Sequence, residues 1–140
     1  MARVNMQSKV NVGADMLWNT IGGFNALPAW HPAVQSSEAT GDKVGSTRTL
    51  NLGGGAQIVE RLETVSKEEK RYRYSILSSP LPVADYEAEL MIKDNGDGTS
   101  TVNWSSDFQP AGGASEGDAV QTIQGIYQAG FDNLRKMFGG

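Results

Sequence analysis

Three features of this 140-residue sequence predict an α+β fold, a curved seven-stranded antiparallel sheet wrapped around one long C-terminal helix, with two short helices between strands 1 and 2. Near the N-terminus apolar and polar residues alternate, the period of a strand with one buried face. From Val34 to Phe108 short β-like runs are separated by turn residues, with no helical period among them. After Gly117 the apolar residues return at intervals of three and four, the spacing of an amphipathic helix.

Val4, Met6, Val10 and Val12 fall on even positions, which makes Val4 to Val12 the first strand. Gly13-Ala14-Asp15 leads into Met16 to Ile21, where Leu17, Trp18 and Ile21 share a helical face before Gly22-Gly23 ends the turn. Phe24 to Leu27 reads as a second helical turn before Pro28. Trp30-His31-Pro32 is then expected to be extended, because proline disfavours the helical region for its predecessor. Turn signals at Gly41-Asp42, Gly53-Gly54-Gly55, Lys67-Glu68-Glu69, Ser79-Pro80 and Asn95-Gly96-Asp97-Gly98 delimit strands near 33–40, 46–52, 56–66, 70–78, 83–94 and 99–109. Asp97-Gly98 is the clearest hairpin signal of the set. Pro110 to Gly117 is a loop. From about Asp118 a long helix carries Val120, Ile123, Ile126, Tyr127, Phe131, Leu134, Met137 and Phe138 on its apolar face. No repeat and no long linker divides the chain, so residues 1–140 read as one domain.

Apolar residues make 39% of the chain and charged residues 20%, an ordinary globular balance that can fill one core at this length. Twelve basic residues against sixteen acidic leave a net charge of −4, which gives no general attraction to nucleic acid or anionic lipid. The absence of cysteine excludes disulfides, thiolate metal sites and cysteine nucleophiles. No stretch approaches the ~20 apolar residues of a membrane span, and Met1 to Met6 do not lead into a signal core. A cytoplasmic protein without membrane insertion, monomeric or weakly homodimeric, is expected.

The segments Trp18, Trp30-His31-Pro32, Val44-Gly45-Ser46-Thr47-Arg48, Glu60-Arg61-Leu62, Tyr72-Arg73-Tyr74-Ser75-Ile76, Pro80-Leu81-Pro82-Val83-Ala84-Asp85-Tyr86 and Trp104 are each weak signals alone. In this order and spacing they resemble the START/Bet v 1-like (SRPBCC) superfamily, and within it the bacterial polyketide cyclase/dehydrase and lipid-transport families. The resemblance covers essentially the whole chain and implies a helix-grip fold around an internal cavity. The centre of the chain is also similar to the plant abscisic-acid receptors, whose two closing loops would correspond to Gly53-Gly54-Gly55 and Pro80-Leu81-Pro82. The signature sequences of those loops are absent here, so hormone sensing does not carry over.

The resemblance implies that Arg48, Leu50, Leu52, Ile58, Glu60, Tyr72, Tyr74, Ile76, Tyr86 and Ala88 face inward, and period-two alternation independently puts each strand's set on one face. Such a wall is apolar with a few polar points, the usual make-up of a small-molecule site. Arg48 and Glu60 would lie on adjacent strands in a low-dielectric interior, where pairing offsets part of the cost of burying each charge. Two readings stand, an ion pair without ligand contact and an anchor for a ligand's carboxylate or hydroxyl. Tyr72, Tyr74 and Tyr86 could orient a polar ligand end or simply fill the core. Trp30 lines the entrance or packs a helix–sheet junction. From the helix, Ile123, Ile126, Tyr127 and Gly130 would face the cavity, and the mid-helix glycines Gly125 and Gly130 need a reason such as close approach to the sheet. Val102, Trp104 and Ser106 share one face of their strand and Asn103, Ser105 and Asp107 the other, which leaves the side of Trp104 open.

His31, the sole histidine, is the natural acid–base group at neutral pH, but with no partner in sequence it reads better as a structural or rim residue. Gly53-Gly54-Gly55 lacks the Gly-Lys-Ser/Thr and the helix of a phosphate loop. Asp94 to Gly98 lacks the closing glutamate of a calcium loop. Neither a zinc site nor a nucleophile elbow is present, so no metal and no cofactor is expected. The leading expectation is a binder or carrier of a hydrophobic small molecule: a lipid, aromatic or polyketide-like compound. The alternative is a cyclase or dehydratase like those of aromatic polyketides, with Glu60, Arg48, Tyr86 or His31 holding a poly-β-keto chain and moving protons. A third is an interaction domain with a vestigial cavity.

Overall fold

The computed structural model describes residues 1–139 and carries its elements in the order β1 (Ala2–Val10), α1 (Ala14–Ile21), α2 (Leu27–Trp30), β2 (Ser36–Ala39), β3 (Thr47–Gly53), β4 (Ala56–Ser66), β5 (Arg71–Ser78), β6 (Val83–Asp94), β7 (Ser100–Pro110) and α3 (Glu116–Phe138). All seven strands form one antiparallel sheet in the order β1-β7-β6-β5-β4-β3-β2. Consecutive hairpins build six of them. The crossover from β1 through α1 and α2 carries the chain from one edge of the sheet to the other. This is the helix-grip architecture.

Bulges supply the curvature. The ladder shifts register at Val59/Glu60 and Leu62/Thr64 between β4 and β5, and at Ala84/Glu87 between β6 and β7. Each places an extra residue on one strand, which bends it and increases its twist. In the last of these Asp85 has φ +53°, a left-handed conformation that an aspartate tolerates better than most residues. Between β5 and β6 the pairing ends at Ser75↔Glu87, although β5 runs on to Ser78 and β6 begins at Val83, so the sheet parts there. Gly53, Gly54 and Gly55 all have positive φ and make the tight β3–β4 connection.

The concave face collects the inward residues of every long strand: Val4 and Val10, Arg48 and Leu50, Ile58, Glu60 and Leu62, Tyr72 and Tyr74, Tyr86 to Ile92 at alternate positions, and Val102, Trp104 and Phe108. Across it lies α3, packed on β1, β7 and α2, with Ala119, Ile123, Tyr127, Phe131 and Leu134 buried. Its N-terminus is capped by Ser115, whose hydroxyl accepts the Asp118 N–H at 3.1 Å, and Glu116 and Asp118 complement the positive end of its dipole. No helix among the described residues is long and apolar enough to cross a membrane.

Several boundaries differ from the sequence reading. β1 starts at Ala2 and ends at Val10, because the chain turns off toward α1 before Val12. The strand expected over 33–40 is ordered only over Ser36–Ala39, at the edge of the sheet. The second helical turn is Leu27–Trp30 rather than Phe24 to Leu27, since Pro28 sits in the first turn, where its missing N–H breaks no intrahelical bond. Trp30 is therefore helical, and His31, which directly precedes Pro32, is extended at φ −104° and ψ 118°. α3 begins at Glu116, two residues before the expected Asp118.

Candidate functional site

Between the concave face and α3 lies a cavity of about 220 Å³. β3 and β4 contribute Leu50, Leu52, Ile58 and Glu60; β5 and β6 contribute Tyr74, Ile76 and Tyr86; β7 contributes Trp104. The helical side supplies Thr122, Ile123, Ile126 and Tyr127, and α2, the α2–β2 segment and the β5–β6 loop supply Leu27, His31, Ala33, Val34 and Leu81. The strand residues converge because alternate side chains on a bent sheet point to one centre of curvature. A larger groove of about 740 Å³ lies outside the parted β5–β6 edge, with Ile76 and Tyr86 in its wall too. Arg61, Glu63 and Glu87 line it and it opens to solvent, so the internal cavity is the better ligand site.

One end of the cavity is polar. The Arg48 Nε donates to Glu60 Oε1 at 2.8 Å, and Nη2 lies 2.8 Å from the same oxygen at an angle that makes it a charge contact rather than a hydrogen bond. Nη1 donates to the Phe24 carbonyl at 2.6 Å and reaches the Tyr72 hydroxyl at 3.4 Å. The guanidinium carbon sits 4.5 Å from the Phe24 ring centre, 5.0 Å from Tyr74 and 5.6 Å from Tyr72, so aromatic faces replace its water. Burial opposes the Arg48 charge, but the Tyr72, Glu60 and Tyr74 oxygens together hold its pKa above the usual arginine range. Burial pushes the Glu60 carboxyl up, against Arg48, which holds it down.

A chain of hydroxyls adjoins this pair. Trp104 Nε1 donates to the Tyr74 hydroxyl at 3.0 Å, Tyr74 and Tyr86 share a hydrogen bond of 3.1 Å, and Tyr86 is bonded in turn to Tyr127. Indole N–H is a donor only, which directs the Tyr74 proton onward along the chain. Burial raises the pKa of all three tyrosines, with further push from neighbouring hydroxyls or from Glu60, so they remain neutral phenols. Trp104 stacks on Tyr127 with ring centres 4.1 Å apart and planes at 14°, fixing both walls.

His31 is tied down at both nitrogens. Nε2 donates to the Ile126 carbonyl at 2.7 Å and Nδ1 accepts the Ala33 N–H at 3.2 Å, an arrangement that only the neutral ring can make. Burial lowers its pKa, opposed in part by the Ile126 carbonyl. No proton-accepting nitrogen faces the cavity. Among the described residues no group of three or more His, Asp or Glu gathers to hold a metal.

Of the residues singled out in the sequence, Leu50, Ile58, Glu60, Tyr74, Ile76, Tyr86, Ile123 and Ile126 line the cavity, and Trp30, Arg48, Tyr72 and Gly130 do not. Arg48 and Tyr72 form the layer behind Glu60 and Tyr74. Trp30 is buried under Trp104 with ring centres 5.5 Å apart. Gly130 is where α3 meets those rings: a Cβ there would come within 2.8 Å of Trp30, 3.0 Å of His31 and 3.2 Å of Trp104. The lining residues that sequence reasoning missed are of two kinds. Leu27, Ala33, Val34, Leu81 and Thr122 sit in loops, short turns or at a helix edge, where no periodicity marks a face. Alternation alone does not fix the side of Trp104, and its register opposite Met6 on β1 and Leu90 on β6 turns it inward.

The family whose profile matches residues 1–139 is described as polyketide cyclase/dehydrase and lipid transport. Among solved structures, the protein XoxI from Bacillus cereus is 36% identical, with 99% of this chain and 96% of that one covered and a TM-score of 0.92. An uncharacterised protein from Bacillus thuringiensis is 34% identical over 98% of each chain, with a TM-score of 0.91. A protein from Thermobifida fusca is 25% identical, covering 99% of this chain and 94% of its own, with a TM-score of 0.88. No curated protein matches this chain.

Proposed function

This chain belongs to the polyketide cyclase/dehydrase and lipid transport family, and from that premise we propose that it binds a compact hydrophobic molecule in the cavity between sheet and α3. The observation that carries the reading is the wall itself. Leucine, isoleucine, valine and aromatic side chains dominate it, and its few polar groups are a paired carboxylate, neutral phenols, a neutral histidine and the Thr122 hydroxyl, which donates to the Asp118 carbonyl. Nothing among them is poised as a strong base or nucleophile. A cavity of about 150 Å³ lined by hydrocarbon takes up benzene, so the volume of about 220 Å³ suits a single ring with a short substituent. It is small beside the ~300–1,000 Å³ of drug-sized sites, and a diacyl lipid or a multi-ring polyketide would need the cavity to expand.

Native mass spectrometry with a thermal-shift screen of single-ring and short-chain compounds tests the reading. A mass adduct together with a raised Tm is the expected result. If no compound of this size shifts the Tm and a crystal structure shows the interior filled by side chains, the proposal fails.

The tyrosine chain beside Glu60 favours a second reading, a cyclase- or dehydratase-like activity in which these hydroxyls relay a proton during aldol closure. Turnover of a short β-keto substrate is then expected to fall at least tenfold in Tyr86→Phe. Unchanged turnover in that variant removes the role.

A further inference from the structure

The cavity wall holds one strong hydrogen-bond acceptor that the protein leaves unused, and on it, building on the binding reading above, we infer the class of ligand: a neutral, single-ring-sized compound with a hydroxyl donor, a phenol or a cyclic or aromatic alcohol, held by Glu60 Oε2. Glu60 is buried and lines the cavity. Both contacts from Arg48 converge on Oε1, so Oε2 takes no hydrogen bond from the described residues. Nor is Oε2 sealed away. Among the described residues the fully buried side-chain atoms without a partner are Trp30 Nε1, Arg48 Nη2 and Ser106 Oγ, which leaves Oε2 with surface of its own.

A buried carboxylate oxygen calls for a donor, and no neighbouring donor is bonded to Oε2. Trp104 Nε1 serves Tyr74, Tyr74 and Tyr86 are engaged in the hydroxyl chain, Arg48 Nη1 serves the Phe24 carbonyl, and Arg48 Nε and Nη2 both face Oε1. A hydroxyl on the ligand supplies the donor. Its charge is decided by the pair. Arg48 and Glu60 together are neutral, so an ionised ligand of either sign would bring an uncompensated charge into an apolar interior. A carboxylate would also meet Oε2 directly, with Arg48 held behind the wall and turned toward Phe24.

Isothermal titration of the wild-type protein at pH 7.5 with benzyl alcohol, benzyl methyl ether, toluene and benzoate tests the inference. A hydrogen bond to an ionised acceptor is worth about ten- to a hundredfold, so benzyl alcohol is expected to bind at least tenfold more tightly than toluene. The ether, which keeps the oxygen but lacks the donor, is expected to match toluene, and benzoate to bind more weakly than either. In Glu60→Gln, which keeps a carbonyl for Arg48, the preference for the alcohol over toluene is expected to shrink below threefold. The wild-type series decides alone if that variant does not fold. Toluene binding as well as the alcohol, the ether binding as well as the alcohol, or benzoate binding best overturns the ligand class and leaves the apolar cavity standing. Binding of none of the four overturns the cavity reading along with it.

Discussion

Glu60 and Arg48 are each tolerable in the interior only because of the other. Removing one partner of a buried pair leaves the remaining charge without compensation, which typically costs ~3–5 kcal/mol, whereas apolar replacement of both is often neutral or better. Glu60→Ala is therefore expected to lose stability on that scale in urea unfolding, and Arg48→Met with Glu60→Leu to recover most of it. His31 makes a second test at this scale. Its lowered pKa means that the unfolded chain, titrating near 6.5, takes up a proton that the folded chain refuses. Its stabilising effect is thus complete above about pH 6.5 and is lost as pH falls toward the folded value, at up to ~1.4 kcal/mol per pH unit. Glu60, with its raised pKa, has the opposite sign: its contribution is full below about 4.5 and declines as pH rises through the folded value. Comparing wild type with His31→Asn cancels the Glu60 effect. Between pH 7.5 and 5.5 the wild type is expected to lose stability relative to the variant, and equal slopes would contradict the neutral, doubly bonded ring.

At the scale of elements, α3 comes close to α2 and β7 where Gly130 meets Trp30, His31 and Trp104. Rings packed on three sides cannot give way as a flexible side-chain tip would. Overpacking of this kind costs ~1–3 kcal/mol, which outweighs the ~1 kcal/mol that alanine offers over glycine in a helix. Gly130→Ala is expected to lower the midpoint of urea unfolding. Gly125→Ala, where an added Cβ meets nothing within 4 Å, is expected to raise it by the helix-propensity gain alone. This pair also marks a limit of the sequence. Both glycines stand out mid-helix by composition, yet only the crossing of α3 over the α2–β7 aromatic cluster separates the one required by packing from the one merely tolerated. Strand periods are legible in the same way: alternation alone groups Arg48 with Leu50 and Tyr72 with Tyr74, because the pleat puts i and i+2 on one face whatever the partner strand. Which members of a face reach the cavity was not legible. The bulges at Glu60 and Thr64 bend the sheet so that Tyr74 points at the open space while Tyr72 packs under Phe24.

Over the whole molecule, the grip leaves space that packing has not filled, and a ligand that occupies it stabilises the fold by mass action. At a hundredfold excess over its Kd a bound compound adds ~2.7 kcal/mol, which at ~3–5 °C per kcal/mol for a chain of this size is roughly 10 °C in Tm. A screen that finds adducts by mass but no such shift at saturation would place them outside the cavity.

The sequence by itself determined the architecture: seven strands, two short helices and a long terminal helix, each declared by local period and turn chemistry. It also determined the apolar character of the interior and the presence there of one charged pair. Only the tertiary structure decided how those residues are used. It turned Trp104 inward through its register with β1 and β6, sent Arg48 behind the wall while leaving Glu60 in it, and committed both nitrogens of His31 to the backbone. The physical reason is one of range. Strand and helix periods are set by neighbours a few residues away, whereas hydrogen-bond partners and cavity walls are set by groups brought together from α2, β3, β4, β7 and α3, separated by 95 positions in the His31–Ile126 contact.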